Sequence, residues 1–524
     1  MKKTYILTIA TALILVAVPF SCKDIASSEG LVPLIPNNVD ANAGTWQPII
    51  LTSNGQIGVP APSFPTSAAY LAELASVKDI QSKLTSDQRK SIEYWSVGGV
   101  LRWNQIFRKL VAQYNLPPVP NADGSYPTPD AENPFSNPQF PFANPPYAAR
   151  AYSYVSVVVY DALKAAWYYK DVYKALRPDS PYEVDNGIQS LMPKIDLPPY
   201  PSEEATMSGA AAEILKVLFP AAVEEITKVA ADQRNAAVWS GKATASDVTA
   251  GLNLGKAVAA FVISTTSTPP GRFRADGMGN AIGTPAQWKA FADNATSRGE
   301  IPWLSLDIPA RPPMLPNFGN VKAWNLTPGQ IVAVRPLPPP STSSAEMAAE
   351  LAEVKYFANN LTRERIAIVH KWADGVGTYT PPGHWNDIAE EYIRDAKFSE
   401  VRSARAFALL NMAIHDSGVS CWDTKYFYFN PRPTQLDPSI KTGTGIPNFP
   451  AYVSGHSTFS AGAATVLGYL FPAAKTYFDE QAEEASMSRL YGAIHYRSDC
   501  KEGIELGKRV AAYTVNFAQT DGAN

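Results

Sequence analysis

Two stretches of this chain, 255 residues apart, are versions of one another. ARAYSYVSVVVYDALKAAWYYKDVYKALRP (149–178) and ARAFALLNMAIHDSGVSCWDTKYFYFNPRP (404–433) align without a gap. Asp161, Trp167, Lys170, Tyr173, Arg177 and Pro178 fall on Asp416, Trp422, Lys425, Tyr428, Arg432 and Pro433. The likeness continues at an offset of 252. YPSEEATMSGAAAEILKVLFPAA (200–222) matches YVSGHSTFSAGAATVLGYLFPAA (452–474), and SDVTAGLNLGKAVAA (246–260) matches SDCKEGIELGKRVAA (498–512). An earlier pair, WNQI (103–106) and WNDI (385–388), is in the same order. The blocks are Ala-rich and amphipathic at helical spacing, so each needs partners to cover its apolar face.

The expected fold is therefore all-α: two related helical bundles, an internal repeat, joined by Pro-rich segments. A chain of 524 residues is too long for one simple core. Its 45 prolines are concentrated in 117–146 and 302–340, with ten in each, where they interrupt helices. The boundaries read as a signal peptide 1–22, a linker and first helix 23–85, a first helical half 86–262, a Pro-rich connection 263–345 and a second half 346–524.

The halves differ where chemistry would lie. His456 corresponds to Glu204, Arg489 to Ala237 and His495 to Ala243. Each loss is in the first half, so one site is expected, in the second half, with the first half as a structural partner.

Three motifs fill the second half: Lys425, six residues, Arg432-Pro433; then Ser454-Gly455-His456; then Ser488-Arg489, five residues, His495, three residues, Asp499. Lys425, Arg432 and Arg489 are cations able to converge on a tetrahedral oxyanion. Ser454 adds a hydroxyl. The Gly455 amide, at a predicted helix start, adds a donor favoured by the helix dipole, and glycine allows close backbone approach. Read as one helix, SRLYGAIHYRSD puts Ser488, His495 and Asp499 on one face and turns Arg489 away. Asp499 would fix the tautomer of His495. His456 beside the anion can carry a proton. Taken singly, each of these is equally an ordinary surface charge, helix pair or cap.

Together the motifs resemble the pattern of the type 2 phosphatidic acid phosphatase and vanadium-dependent haloperoxidase superfamily. The family usually has Pro before Ser-Gly-His; Val453 stands there. The resemblance implies that Lys425, Arg432, Ser454, Gly455 and Arg489 hold the oxygens of vanadate or phosphate. It implies that His495 bonds vanadium in a peroxidase or phosphorus in a phosphatase, that His456 is the acid–base group, and that Asp499 orients His495. Trp422 and Phe449 stand at the spacings where fungal chloroperoxidases carry Trp and Phe beside the halide. The alternative for both is bundle core, and Trp167 at the repeat position of Trp422 favours packing for that residue. The reading leans to a haloperoxidase-like enzyme with vanadate as cofactor and hydrogen peroxide and halide as substrates. The alternative is a phosphatase acting on phosphomonoesters, with no cofactor.

The N-terminus, MKKTYILTIATALILVAVPFSC, has Lys2 and Lys3 before an apolar run and reads as an export signal. Cys22 after Ser21 fits a bacterial lipoprotein, lipid-anchored in the periplasm or at the outer membrane; Pro19 departs from the usual Leu, and plain secretion is the alternative. No other membrane attachment is expected. Cys421 and Cys500 are either a disulfide, which export permits, or two free buried thiols. A net charge of −3 gives no nucleic-acid footprint. Richness in Trp and Tyr leaves a third reading, a helical glycan-binding surface lipoprotein with exposed aromatics.

Overall fold

The computed structural model describes residues 31–116, 119–126, 144–179 and 187–523, and all regular structure among them is helical. The expected signal peptide and Cys22 lie outside the described residues. After α1 (Ala68–Ser82), the first half runs α2 (Ser86–Ser96), α3 (Gly99–Tyr114), α4 (Pro145–Tyr173), α5 (Glu203–Leu218), α6 (Val223–Trp239) and α7 (Ala245–Ile263). The connection holds α8 (Pro285–Ser297) and α9 (Pro328–Val334). Then come α10 (Ala345–Asn359), α11 (Arg363–Lys371), α12 (Thr380–Asp395), α13 (Glu400–Tyr428), the short α14 (Pro433–Leu436), α15 (Gly455–Leu470), α16 (Lys475–Tyr491) and α17 (Arg497–Ala518).

Two helices of 29 residues, α4 and α13, form the spine and pack on each other. Both are buried on nearly every side, as a helix must be when Ala, Val, Leu and Tyr surround its whole circumference. Both end in a left-handed residue, Lys174 and Phe429, 255 apart. Around α4 pack α5 and α7; around α13 pack α15 and α17. The crossings of α5 with α7 and of α15 with α17 depend on glycine. A Cβ on Gly255 would stand 2.1 Å from the Thr206 carbonyl oxygen, and one on Gly507 2.4 Å from that of Thr458. These four residues are again paired by the offset of 252.

The seam between the halves is polar and self-matched. Ser156 of α4 accepts from the amide of Asn411 of α13 (2.9 Å), its counterpart at the offset of 255. Asn104 of WNQI donates to Asn386 of WNDI (2.8 Å), and Asn386 and Asn411 exchange hydrogen bonds. Buried amides that bond one another across the seam fix the register of the two spines. Asp161 and Asp416 do matching work. The first accepts from the backbone amides of Ile49, Ile50 and Leu51, the second from those of Trp324 and Asn325. Each ties an extended strap to its spine.

No helix among the described residues is long and apolar enough to cross a membrane. None of the eleven tryptophans is exposed. Most of them are buried in the core, so none offers an exposed tryptophan platform for a glycan.

Candidate active site

Ser454, Gly455 and His456 open α15. The Ser454 hydroxyl accepts from the Ser457 amide (3.3 Å) as N-cap, and its own amide donates to the Asp499 carbonyl (2.9 Å), which pins the start of α15 to the first turn of α17. A Cβ on Gly455 would meet nothing nearer than Phe459 at 3.8 Å and Trp422 at 3.9 Å. Internal packing therefore does not require glycine here. What glycine leaves open is the cavity side, which is the space an approaching ligand needs.

The third motif is not one helix. α16 stops at Tyr491, the chain turns through Gly492–Tyr496 with Ala493 in the left-handed region (φ 58), and α17 starts at Arg497. This corrects the single-face reading. His495 and Asp499 meet because Asp499, third residue of α17, reaches back to the turn. Its Oδ2 accepts from Nδ1 of His495 (2.8 Å) and from the Tyr496 amide (3.1 Å). Arg489 is not turned away: it sits in the last turn of α16, buried, and lines the same cavity as His495. The Ser488 hydroxyl accepts from Nε of Arg489 (2.9 Å), and the Trp372 carbonyl accepts from Nη2 (2.8 Å).

Lys425 closes the last turns of α13 and donates to the carbonyls of Pro450 and Ala451, both at 2.9 Å, so one N–H of its ammonium is uncommitted. Arg432 donates to the carbonyls of Phe449 (3.0 Å) and Ile494 (2.8 Å), and its Nη1 lies 3.0 Å from Nε2 of His495. With Nδ1–H given to Asp499, Nε2 is the acceptor, so His495 is the neutral tautomer with its lone pair held by Arg432.

Burial dominates the electrostatics. It pushes Lys425 down to about 7 and Arg432 and Arg489 down to about 10, with neighbouring cations adding to the effect on Lys425 and Arg432. It pushes Asp499 up to about 7 against the pull of Lys425 and Arg432. His456 and His495 are held well below the ordinary histidine range by burial first and by the surrounding cations second. Both imidazoles are neutral at pH 7. Nε2 of His456 and Oδ1 of Asp499 are buried without a partner.

A cavity of about 580 Å³ opens onto Gly455, His456, Arg489 and His495. Trp422 and Phe449 also line it, their rings 5.0 Å apart. Trp422 has a packing tie as well, donating to the Met314 carbonyl (3.1 Å), as Trp167 does to that of Val39 (3.2 Å). Lys425, Arg432 and Ser454 do not line the cavity. The cations reach it through Phe449, with Lys425 Nζ 5.0 Å and Arg432 Cζ 5.1 Å from its ring centre, and through His495.

Two groups escaped the sequence reading. Asp374 lines the cavity, acts on Arg489 through its charge, and bonds Nδ1 of His384 (3.1 Å); His384 stacks on Trp372 at 4.3 Å. They lie in a segment, 371–384, that carries no recognisable spacing to the three motifs. The disulfide alternative is corrected: Cys421 and Cys500 are free thiols. Cys421 faces the Val453 carbonyl (3.8 Å) and Cys500 that of Ser486 (3.4 Å), so each points into its own helix contact.

The corresponding place in the first half is filled by the chain itself. Lys170 keeps its bond to a carbonyl, Pro198, which is the counterpart of Pro450. Glu203 and Glu204 stand where Gly455 and His456 stand. Glu203 pairs with Lys170 (2.6 Å) and Lys242 (2.9 Å), and Glu204 pairs with Lys242. Burial alone would raise Glu203, but the two lysines hold it well below the carboxylate range. Asp247, counterpart of Asp499, is pushed up to about 6 by burial.

Residues 405–523 match the PAP2 superfamily. The fold matches that of the first bacterial vanadium-dependent iodoperoxidase with a TM-score of 0.55 and 22% identity, over 79% of this chain and 96% of that one. A holo-type bacterial vanadium-dependent chloroperoxidase matches with a TM-score of 0.47 and 12% identity, over 75% and 96%. No curated protein matches significantly. The matched segment contains all three motifs, so residues 405–523 are similar to the PAP2 superfamily, and the all-helical fold resembles that of the iodoperoxidase.

Proposed function

We propose that the protein is a vanadate-dependent haloperoxidase-like enzyme with one site, in the second half. The observation that carries this is the His495 arrangement: Nδ1 clamped by Asp499 at 2.8 Å and Nε2 presented as a lone pair among buried cations. The donor set fits an oxyanion, because Gly455 leaves room on the cavity side and Nε2 of His456 is an orphaned polar atom beside it. Arg489 and the Gly455 amide, on the cavity, would hold the oxygens first, with Lys425, Arg432 and the Ser454 hydroxyl behind them, and Nε2 of His495 would be the protein's ligand. Vanadate when bound supplies Lewis-acid chemistry that activates hydrogen peroxide toward halide. Arg432 holds the lone pair of His495 until the anion arrives. Asp499 keeps the proton on Nδ1 throughout. Neutral His456 takes a proton at Nε2 from incoming peroxide and returns it to a leaving oxygen. Trp422 and Phe449 offer halide a dry aromatic wall.

The PAP2 match favours a second reading. There His495 attacks a phosphomonoester, and His456, once it has taken up a proton at Nε2, passes it to the leaving alcohol. One preparation decides between them when assayed for peroxide-dependent halogenation with added vanadate and for phosphatase activity with vanadate as inhibitor. Halide oxidation without phosphomonoester hydrolysis supports the peroxidase; the reverse result overturns it.

Export and a lipid on Cys22 complete the proposal and rest on residues 1–22. Metabolic labelling with a radioactive fatty acid should mark the wild type and not Cys22→Ala. An unlabelled wild type leaves simple secretion.

A further inference from the structure

One group on the cavity has the wrong sign for an oxyanion. Arg489 faces the cavity with only Nε and Nη2 committed, to the Ser488 hydroxyl and the Trp372 carbonyl, so Nη1 is free to donate. Asp374 lines the same space and acts on Arg489 through its charge, yet no ion pair joins the two among the described residues. The Asp374 side chain is 6% exposed. Its two oxygens share a single N–H, Nδ1 of His384 at 3.1 and 3.2 Å, which leaves most of the acceptor capacity of a carboxylate unused.

What holds that carboxylate in place comes from the other half of the molecule. Asp374 is in the left-handed region (φ 45) and leads into Gly375-Val376-Gly377-Thr378, where Gly377 is left-handed too (φ 75). A glycine-rich turn of this kind is held by its surroundings rather than by itself. Asn115, which follows α3 and is 5% exposed, clamps it. Its Nδ2 donates to the carbonyls of Gly375 (2.8 Å) and Thr378 (3.1 Å), and its own carbonyl accepts from the Gly377 amide (2.6 Å).

We propose that Asp374 sets which oxyanion the site accepts, and that Asn115 of the first half is the positioning residue that aims it. The proposal rests on the oxyanion reading of the site, in either its peroxidase or its phosphatase form. A fixed carboxylate beside an anion repels it, unless the anion carries a proton that the carboxylate can accept as a hydrogen bond. Phosphate and vanadate keep a proton at neutral pH. Sulfate, also tetrahedral, keeps none. Asp374 therefore favours phosphate and vanadate and disfavours sulfate, as a buried polar group does when the wrong ligand leaves it unpaired. Nε2 of His456 can accept a ligand proton too, so variants of Asp374 and Asn115 carry the test.

Calorimetric titration of the vanadate-free protein with phosphate and with sulfate, near neutral pH, reads the selectivity without turnover. Phosphate should bind about a hundredfold more tightly than sulfate. Asp374→Asn should bring the ratio down to about fivefold, chiefly by tightening sulfate. Asn115→Ala keeps the carboxylate but releases it, and should lower the ratio in the same way. Combined with Asp374→Asn it should change the ratio no further, because the two act through one group. A merely structural role for Asn115 would weaken both anions together and leave the ratio alone, which overturns the positioning role. Equal binding of the two anions by the wild type, or an unchanged ratio in Asp374→Asn, overturns the proposal. If Asp374→Asn does not fold, Asn115→Ala decides, and if neither folds, the wild-type ratio does. If neither anion binds the wild type, the oxyanion reading itself fails.

Discussion

At the scale of single residues, the site is a small set of groups whose charges burial has moved toward neutrality. Lys425 pushed down to about 7 loses a positive charge as pH rises through 7, and Asp499 pushed up to about 7 gains a negative one. Both changes remove net positive charge, so they add. Sulfate does not titrate between pH 6 and 8, which makes it a clean probe. Its affinity should fall by about tenfold or more across that window, read as loss of the melting shift it induces. A flat profile would mean that Lys425 and Asp499 do not titrate there. His495→Ala should lower activity by about a thousandfold or more. Glu204→Ala, in the first half, should leave activity within about threefold, because Lys242 still has Glu203. Equal losses from both would sink the one-site reading. Residue types and spacings made Lys425, Arg432, the Ser454–His456 stretch, Arg489, His495 and Asp499 legible in the sequence. Asp374 and His384 were not legible, because their importance comes from which partner each holds, and that is not encoded in spacing.

At the scale of elements, the start of α15 is held where it is by its crossing with α17. A Cβ on Gly507 would stand 2.4 Å from a backbone carbonyl oxygen that cannot rotate away. The helix-propensity gain of alanine, about 1 kcal/mol, is smaller than the overpacking cost, and Gly507→Ala should destabilise by about 1–3 kcal/mol net. It should also weaken anion binding, since α15 carries Gly455 and His456 at its N-terminus. Gly255→Ala in the matching crossing should cost as much stability with no change in anion affinity. Chemical denaturation and phosphate titration of the two variants check both statements; equal loss of affinity would contradict the account. This scale is also where sequence reasoning failed. SRLYGAIHYRSD reads as continuous helix because alanine, not glycine or asparagine, takes the left-handed position at 493. The tertiary link between Ser454 and Asp499 sets that turn, and no local signal announces it. The choice between disulfide and free thiols stayed open in the sequence for a related reason. Nearness of two motifs does not fix where their side chains point, and each thiol is committed to a different carbonyl.

At the scale of the molecule, the halves share a frame and differ in what neutralises it. The spines, the lysine at the end of each, the serine cap and the aspartate behind it recur at constant offsets. In the first half, Glu203 and Glu204 supply the negative charge from within. In the second, glycine and histidine at those positions leave three buried cations facing Asp499 and Asp374, a deficit that an outside anion corrects. The measurement that tests this most directly is calorimetric titration with vanadate, followed by melting at a hundredfold excess over Kd. The wild type should bind one equivalent and gain about 2.7 kcal/mol of stability. Arg489→Ala should lose most of both, and Glu204→Ala should keep both. Two equivalents in the wild type, or undiminished binding in Arg489→Ala, would contradict a single cradle built on Ser454, Gly455 and the three cations.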